Sequence, residues 1–255
     1  MTQSHVESLN AYLSTGINSV NGWCIPHLWQ SIWPLYHKIG PGPIAEIGVF
    51  EGKFFIGLAK TFGAAEAHAA IDVFDMQEFN LDGAGVGKLE VFRTNLAAHG
   101  LGPEKTRCLQ RDSLTLSVPD TLALREEFGG FKFFSVDGCH EVLHTMRDVE
   151  FAMSVTHPAG IIAVDDYMNP MWPGVLEAIA KMYLLREFQF VPLLFTCNKL
   201  FLCSRSYHDA YRKHVLDYVR EHFPQTRLKI VTRFGYQTLS VLPNMNNWVD
   251  LAGET

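Results

Sequence analysis

Three carboxylates stand where they could do chemistry: Asp137, Asp165 and Asp166. Each follows a short apolar run that stops abruptly, Phe133–Val136 before Asp137-Gly138 and the β-branched Ile161–Val164 before Asp165-Asp166. Runs of this kind read as buried parallel strands. Between them Val142, Met146, Val149, Phe151, Ala152 and Val155 recur at roughly helical spacing, and His157-Pro158-Ala159-Gly160 supplies a stop. A strand–helix–strand unit opens the carboxyl ends of its strands on one sheet edge, so the acids converge. Unpaired carboxylates so placed repel one another and hold protons unless a divalent cation neutralises them, and all-oxygen donors favour a hard ion such as magnesium. The plainer reading makes Asp137 a helix cap and Asp165-Asp166 a polar loop. It accounts for any one acid better than for all three.

A second pattern overlaps the first. His140-Glu141-Val142-Leu143-His144 matches H-E-x-x-H, which binds zinc when it lies on a helix, with the glutamate as general base. Here it opens a helix directly after a strand and an Asp-Gly pair, and neither Glu150 nor His157 is a persuasive third ligand. Zinc hydrolysis therefore stays open as a weaker reading. In the preferred one only His140 faces the acids, and His144 is a helix-surface histidine.

The elements that must position these groups fit a chain of 255 residues, 47% of them hydrophobic, long enough for one α/β domain with decorations. Its net charge of −6, without a Lys/Arg-rich run, gives no footprint for nucleic acid or an anionic membrane. No apolar run reaches about 18 residues, and MTQSHVESLN lacks a basic-then-apolar signal, so a cytoplasmic protein is expected. Five cysteines without a C-x-x-C pair argue against a disulfide scaffold or a zinc cluster. A small molecule is the expected partner.

Residues 1–43 form a helical lead-in, with Leu9, Tyr12, Leu13 and Ile17 on one side and Trp23, His27, Trp29, Trp33 and Tyr36 after them. These aromatics either pack or form a lid over a substrate pocket. Ile44–Gly52 is a strand turning into a helix near Lys53 or Phe54, where Gly48 and Gly52 let backbone approach a ligand. Ala69–Asp75 is a second strand ending in acid. Asp72, with Asp75 in reserve, stands at the distance where nucleoside-binding folds hold the ribose hydroxyls. Asn80–Lys88 resembles a phosphate loop but has Asp82 and Leu89 where glycine and Ser/Thr are needed, so it reads as a flexible loop gating the crevice. A helix Leu89–His99 and a strand Thr106–Gln110 lead to Asp112-Ser113, and a helix Val175–Leu185 to a hairpin, Gln189–Thr196 and Lys199–Cys203. After a helix over 207–223, Lys229–Leu242 adds a strand or pairs with another subunit, as in a homo-oligomer. The domains expected are thus a lead-in (1–43), a ligand-binding α/β domain (44–205) and an extension (206–255).

Glu46-Ile47-Gly48…Gly52, the acid after strand two, Asp112-Ser113, Asp137-Gly138…His140 and Asp165-Asp166-Tyr167 with Trp172-Pro173-Gly174 resemble the class I S-adenosylmethionine-dependent methyltransferases. More narrowly the set is similar to metal-dependent macrocin and mycinamicin sugar O-methyltransferases, with catechol O-methyltransferase a distant relative. The likeness covers about residues 40–205. It implies a doubly wound Rossmann-like sheet, mostly parallel with an antiparallel edge hairpin, and methyl transfer to a hydroxyl of a sugar, natural-product diol or phenol. It also implies that Glu46, Gly48 and Gly52 line the methionine end of S-adenosylmethionine, Asp72 binds ribose, and Asp112 with Ser113 meets adenine. Asp137, Asp165 and Asp166 would hold magnesium and His140 would be the general base. Three closely spaced glycines after strand one, common in the class, are missing here. A nicotinamide-dependent oxidoreductase and a non-catalytic S-adenosylmethionine-binding protein fit the same sheet and stay open beside the zinc hydrolase.

Overall fold

The apolar runs become the middle of a nine-stranded sheet, seen in a computed structural model that describes residues 3–63, 67–245 and 251. The strands are β1 Ile44–Ile47, β2 His68–Asp72, β3 Thr106–Gln110, β4 Phe131–Val136, β5 Thr156–Val164, β6 Phe190–Thr196, β7 Lys199–Ser204, β8 Arg227–Arg233 and β9 Tyr236–Leu242. Their order is β3-β2-β1-β4-β5-β7-β6-β9-β8. From β3 to β5 every pairing is parallel, and β7 then runs antiparallel between β5 and β6. The expected mostly parallel, doubly wound α/β sheet is therefore present. Its β6–β7 hairpin is not the last edge, because β9 pairs with β6 and β8 closes the sheet outside it.

Among the described residues eight α-helices cover the two faces: α1 Gln3–Ser14, α2 Trp29–Ile39, α3 Lys53–Phe62, α4 Leu89–Ala98, α5 Val118–Phe128, α6 Val142–Val155, α7 Pro173–Leu185 and α8 His208–His222. Neighbouring strand residues point to opposite faces, so Phe133, Ile161 and Phe201 join the core beneath α1–α4 and α8. Phe134, Ile162 and Leu202 join the one beneath α5–α7. Within the lead-in, Trp29, Trp33 and Tyr36 are buried, and the Trp29 indole donates to Thr61 Oγ1 at 2.8 Å. Packing explains these rings. Trp23, 97% exposed, is the exception.

Three local readings change. The expected stop at His157–Gly160 is instead the first half of β5, where Thr156 pairs with Phe131 across a register irregularity. Helix α5 went unread because it buries only Leu124 among its residues, although Ser117 and Asp120 form a capping box at its start. Lys229–Leu242 supplies two strands, β8 and β9, turned at Phe234-Gly235, and they extend this chain's own sheet. Of the expected 206–255 extension, residues 246–250 and 252–255 lie outside the described residues.

Candidate active site

Strand order reverses between β1 and β4, which places a crevice outside their carboxyl ends. Gly48 leaves β1 at φ +80°, and a Cβ there would lie 1.8 Å from the Asp137 carbonyl oxygen. The glycine is thus required by the close passage of the β1 and β4 turns. Gly52, at φ +92°, precedes α3 and packs against the Phe92 ring. Glu46 is buried on β1 with no hydrogen-bond partner at Oε2, and burial, opposed by Lys199 and Ser135, pushes its carboxyl up to about 8.

Asp72 splints the exits of β1 and β2. Its Oδ2 accepts from the Phe50 amide at 2.9 Å and its Oδ1 from the Phe74 amide at 2.6 Å, both residues at positive φ. Burial raises its pKa while these amides oppose the rise. The reserve acid Asp75 accepts from the Leu89 amide at the start of α4. Asp112 accepts from the Leu114 amide at 2.9 Å and so caps the short turn holding Ser113. Glu46, Asp72 and Asp112 therefore follow one another along the β1, β2 and β3 ends, beside a separate cluster at the ends of β4 and β5.

That cluster centres on His140. Both its backbone amide and its Nδ1 meet Asp82 Oδ2, at 2.8 and 2.6 Å, and its ring stacks on Trp172 with centroids 4.4 Å apart. The other ring nitrogen, Nε2, lies 3.0 Å from Asp166 Oδ2 and 3.9 Å from Asp137 Oδ1. It is buried without an aligned hydrogen-bond partner. Burial opposes a charge on His140, but the carboxylates of Asp166 and Asp82 outweigh it and push the imidazole up to about 10. Burial would raise Asp82 as well, yet the bonds from His140 hold it down to about 2. Asp166, at φ +54°, is fixed from its other oxygen by the Asn169 and Asn198 amides, each at 2.7 Å.

The expectation of three unpaired carboxylates is met only in part. Asp165 Oδ2 accepts a hydrogen bond from Lys199, the buried first residue of β7, whose ammonium also lies 3.8 Å from Asp137 Oδ2. Asp137 is pushed well above the carboxylate range by burial and by Asp165. Among the described residues, the group whose donor atoms fall within 4.8 Å of one another is Asp137, His140 and Asp166. Asp165 stands behind it with Lys199. The H-E-x-x-H pattern does not form a helical pair, since Glu141 is the extended N-cap of α6 and His140 precedes the helix. His144, expected on the surface, is buried.

Sequence reading missed Asp82 and Lys199. Asp82 sits in the loop read as flexible, where its Oδ1 accepts from Ala84 while its Oδ2 ties the loop to His140. The only signal for Lys199 was a lone cation heading the apolar strand Leu200–Cys203.

Residues 45–167 match a family described as a methyltransferase domain. The O-methyltransferase NovP superposes with a TM-score of 0.58 at 14% identity over 80% of this chain and 99% of that one. CalS11, a TDP-rhamnose 3'-O-methyltransferase of calicheamicin biosynthesis, gives 0.50 at 19% over 78% and 93%. TomG from Streptomyces achromogenes, an O-methyltransferase of tomaymycin synthesis solved with SAM, gives 0.50 at 15% over 80% and 91%. No curated protein matches the chain in sequence. The structural likenesses speak for the fold and the family match for the sequence: the chain has the α/β fold of these methyltransferases, and its residues 45–167 are similar to a methyltransferase domain.

Proposed function

We propose that the chain is an S-adenosylmethionine-dependent O-methyltransferase acting on a hydroxyl of a small molecule, a sugar or natural-product diol or a phenol. The observation that carries this reading is His140, fixed at Nδ1 by Asp82 and presenting Nε2 beside Asp137 and Asp166 at the edge of the switch-point crevice. The descriptions of NovP, CalS11 and TomG as O-methyltransferases support it. When bound, S-adenosylmethionine supplies a methyl group on a sulfonium, open to in-line attack by oxygen. Glu46, Gly48 and Gly52 would flank its methionine end, Asp72 its ribose, and Asp112 with Ser113 its adenine. Positioning of the acceptor against that methyl accounts for much of the barrier.

A hydroxyl is a poor nucleophile until it loses its proton, and His140 Nε2 is assigned to take it. In the free chain His140 is an imidazolium at neutral pH, so Nε2 must first release its own proton to solvent. Asp82 keeps the ring oriented throughout by holding Nδ1, and Trp172 covers one ring face. Magnesium or another hard divalent cation fits the carboxylates of Asp137 and Asp166, which lie within 4.8 Å of each other and of His140 Nε2. When bound there, it would orient an acceptor hydroxyl and lower its pKa.

No described helix is long and apolar enough to cross a membrane, and the five cysteines are unpaired; a cytoplasmic role in secondary metabolism is the setting proposed. The test is calorimetric titration of EDTA-treated protein with S-adenosylmethionine, followed by turnover on sugar, diol and phenol acceptors. Binding in the micromolar range with methylation of at least one hydroxyl class is expected. Absence of S-adenosylmethionine binding with and without magnesium would sink the reading.

A further inference from the structure

Lys199 is an unusual residue for its place. It opens β7 in the middle of the sheet, with a side chain only 4% exposed, and its ammonium faces the carboxyl ends of β4 and β5. Three contacts fix it: a hydrogen bond to Asp165 Oδ2, a 3.8 Å approach to Asp137 Oδ2, and the Phe54 ring with its centroid 4.4 Å away. Asp165 follows β5 directly opposite, because Val164 pairs with Leu200 across the β5–β7 ladder. A hard divalent ion bridging Asp137 and Asp165 would have to sit roughly 2.1 Å from an oxygen of each. The ammonium already holds the Asp165 oxygen and lies 3.8 Å from the nearer Asp137 oxygen.

We infer that Lys199 is the resident cation of the inner half of this site, closing the Asp137–Asp165 pair to a divalent ion and confining any such ion to Asp137 and Asp166. A lysine ammonium held by Asp165 and facing Asp137 sets a positive charge against both carboxyls. The aromatic face of Phe54 favours the same charge. The inner pair is therefore neutralised without a metal, and an ion at the outer group has two carboxylates where an open site would offer three. Weak metal affinity follows from that donor count and from repulsion by the ammonium. The inference rests on the proposed reading for its link to catalysis, but not for its test.

The test uses manganese as a paramagnetic divalent probe, titrated into the full chain and followed by the EPR signal of the free ion. Lys199→Met is expected to bind manganese at least tenfold more tightly than the wild type. In the wild-type background Asp166→Asn should abolish the weak binding that exists, while Asp165→Asn leaves it within twofold. The aspartate pair keeps the inference falsifiable if Lys199→Met does not fold. Equal affinity of the wild type and Lys199→Met overturns it, as does absence of binding in both. Equal loss in the two aspartate variants overturns it too. Calorimetry with S-adenosylmethionine runs alongside: failure there removes the methyltransferase reading and leaves the manganese result standing.

Discussion

At the scale of single residues, His140 and Asp82 form a pair in which one carboxylate serves a backbone amide and a ring nitrogen at once. Replacing His140 with Ala should lower kcat by about 10²–10⁴ with little change in S-adenosylmethionine affinity, as expected for a lost proton acceptor. Because the resting imidazole is held up to about 10, wild-type kcat/KM should climb with pH through the neutral range, and the climb should vanish in His140→Ala. A flat wild-type profile between pH 6 and 9 would remove His140 from the role. Asp148 offers a stability experiment away from that chemistry. It is 1% exposed on α6, and burial, opposed by the Ser113 hydroxyl and reinforced by the charge of Asp112, pushes it up to about 7. The Cys139 thiol also faces it. A raised native pKa means the folded state keeps a proton that the unfolded chain releases. The stability Asp148 contributes is thus fully present below about pH 4 and lost as pH rises to about 7, a swing of up to about 4 kcal/mol. Asp148→Asn should therefore be more stable than the wild type at pH 8 by roughly 1–3 kcal/mol in urea unfolding, with the gap closing at pH 4.

At the scale of elements, the site depends on how closely three turns pass. The start of α7 sits so near the His140 loop that a Cβ on Gly174 would lie 2.4 Å from the His140 carbonyl oxygen. Gly174→Ala must push α7 or the loop aside, and overpacking of this kind costs about 1–3 kcal/mol. The expected result is a lower urea midpoint together with reduced kcat, because Trp172 loses its stack on the imidazole; an unchanged midpoint and rate would mean that the α7 start yields freely. The strands carrying these turns were legible because Phe133–Val136 and Ile161–Val164 are apolar runs cut off by acids, and period and punctuation survive in sequence. Asp82 and Lys199 were not legible. Their partners lie 58 and 34 residues away, across a loop and a hairpin whose mutual placement no local pattern encodes. Extended backbone at His157–Gly160 escaped for a related reason: proline and glycine normally break structure, and only the pairings of Thr156 before them and Ile161 after them with β4 keep them in a strand.

At the scale of the whole molecule, the acids divide by task according to the sheet's own geometry. Those at the β1, β2 and β3 ends either stay buried or splint turns, as Glu46, Asp72 and Asp112 do. Those after β4 and β5 gather around His140 and Lys199. A ligand filling the first half must bridge the β1 and β2 exits that Asp72 splints, beside the close passage of Gly48 and Asp137. Binding there should accordingly stabilise the fold as a unit. At a free S-adenosylmethionine concentration 100 times its dissociation constant the gain is about 2.7 kcal/mol, which for a chain of this size corresponds to a rise in Tm of roughly 5–10 °C. Asp72→Ala removes the acceptor of the Phe50 and Phe74 amides, so it should lower the Tm of the free protein and also shrink the ligand-induced rise. Differential scanning calorimetry on the two proteins, with and without S-adenosylmethionine, separates the effects. A lower starting Tm with the full ligand-induced rise retained would leave Asp72 as a splint between the β1 and β2 exits and take the ribose contact away from it.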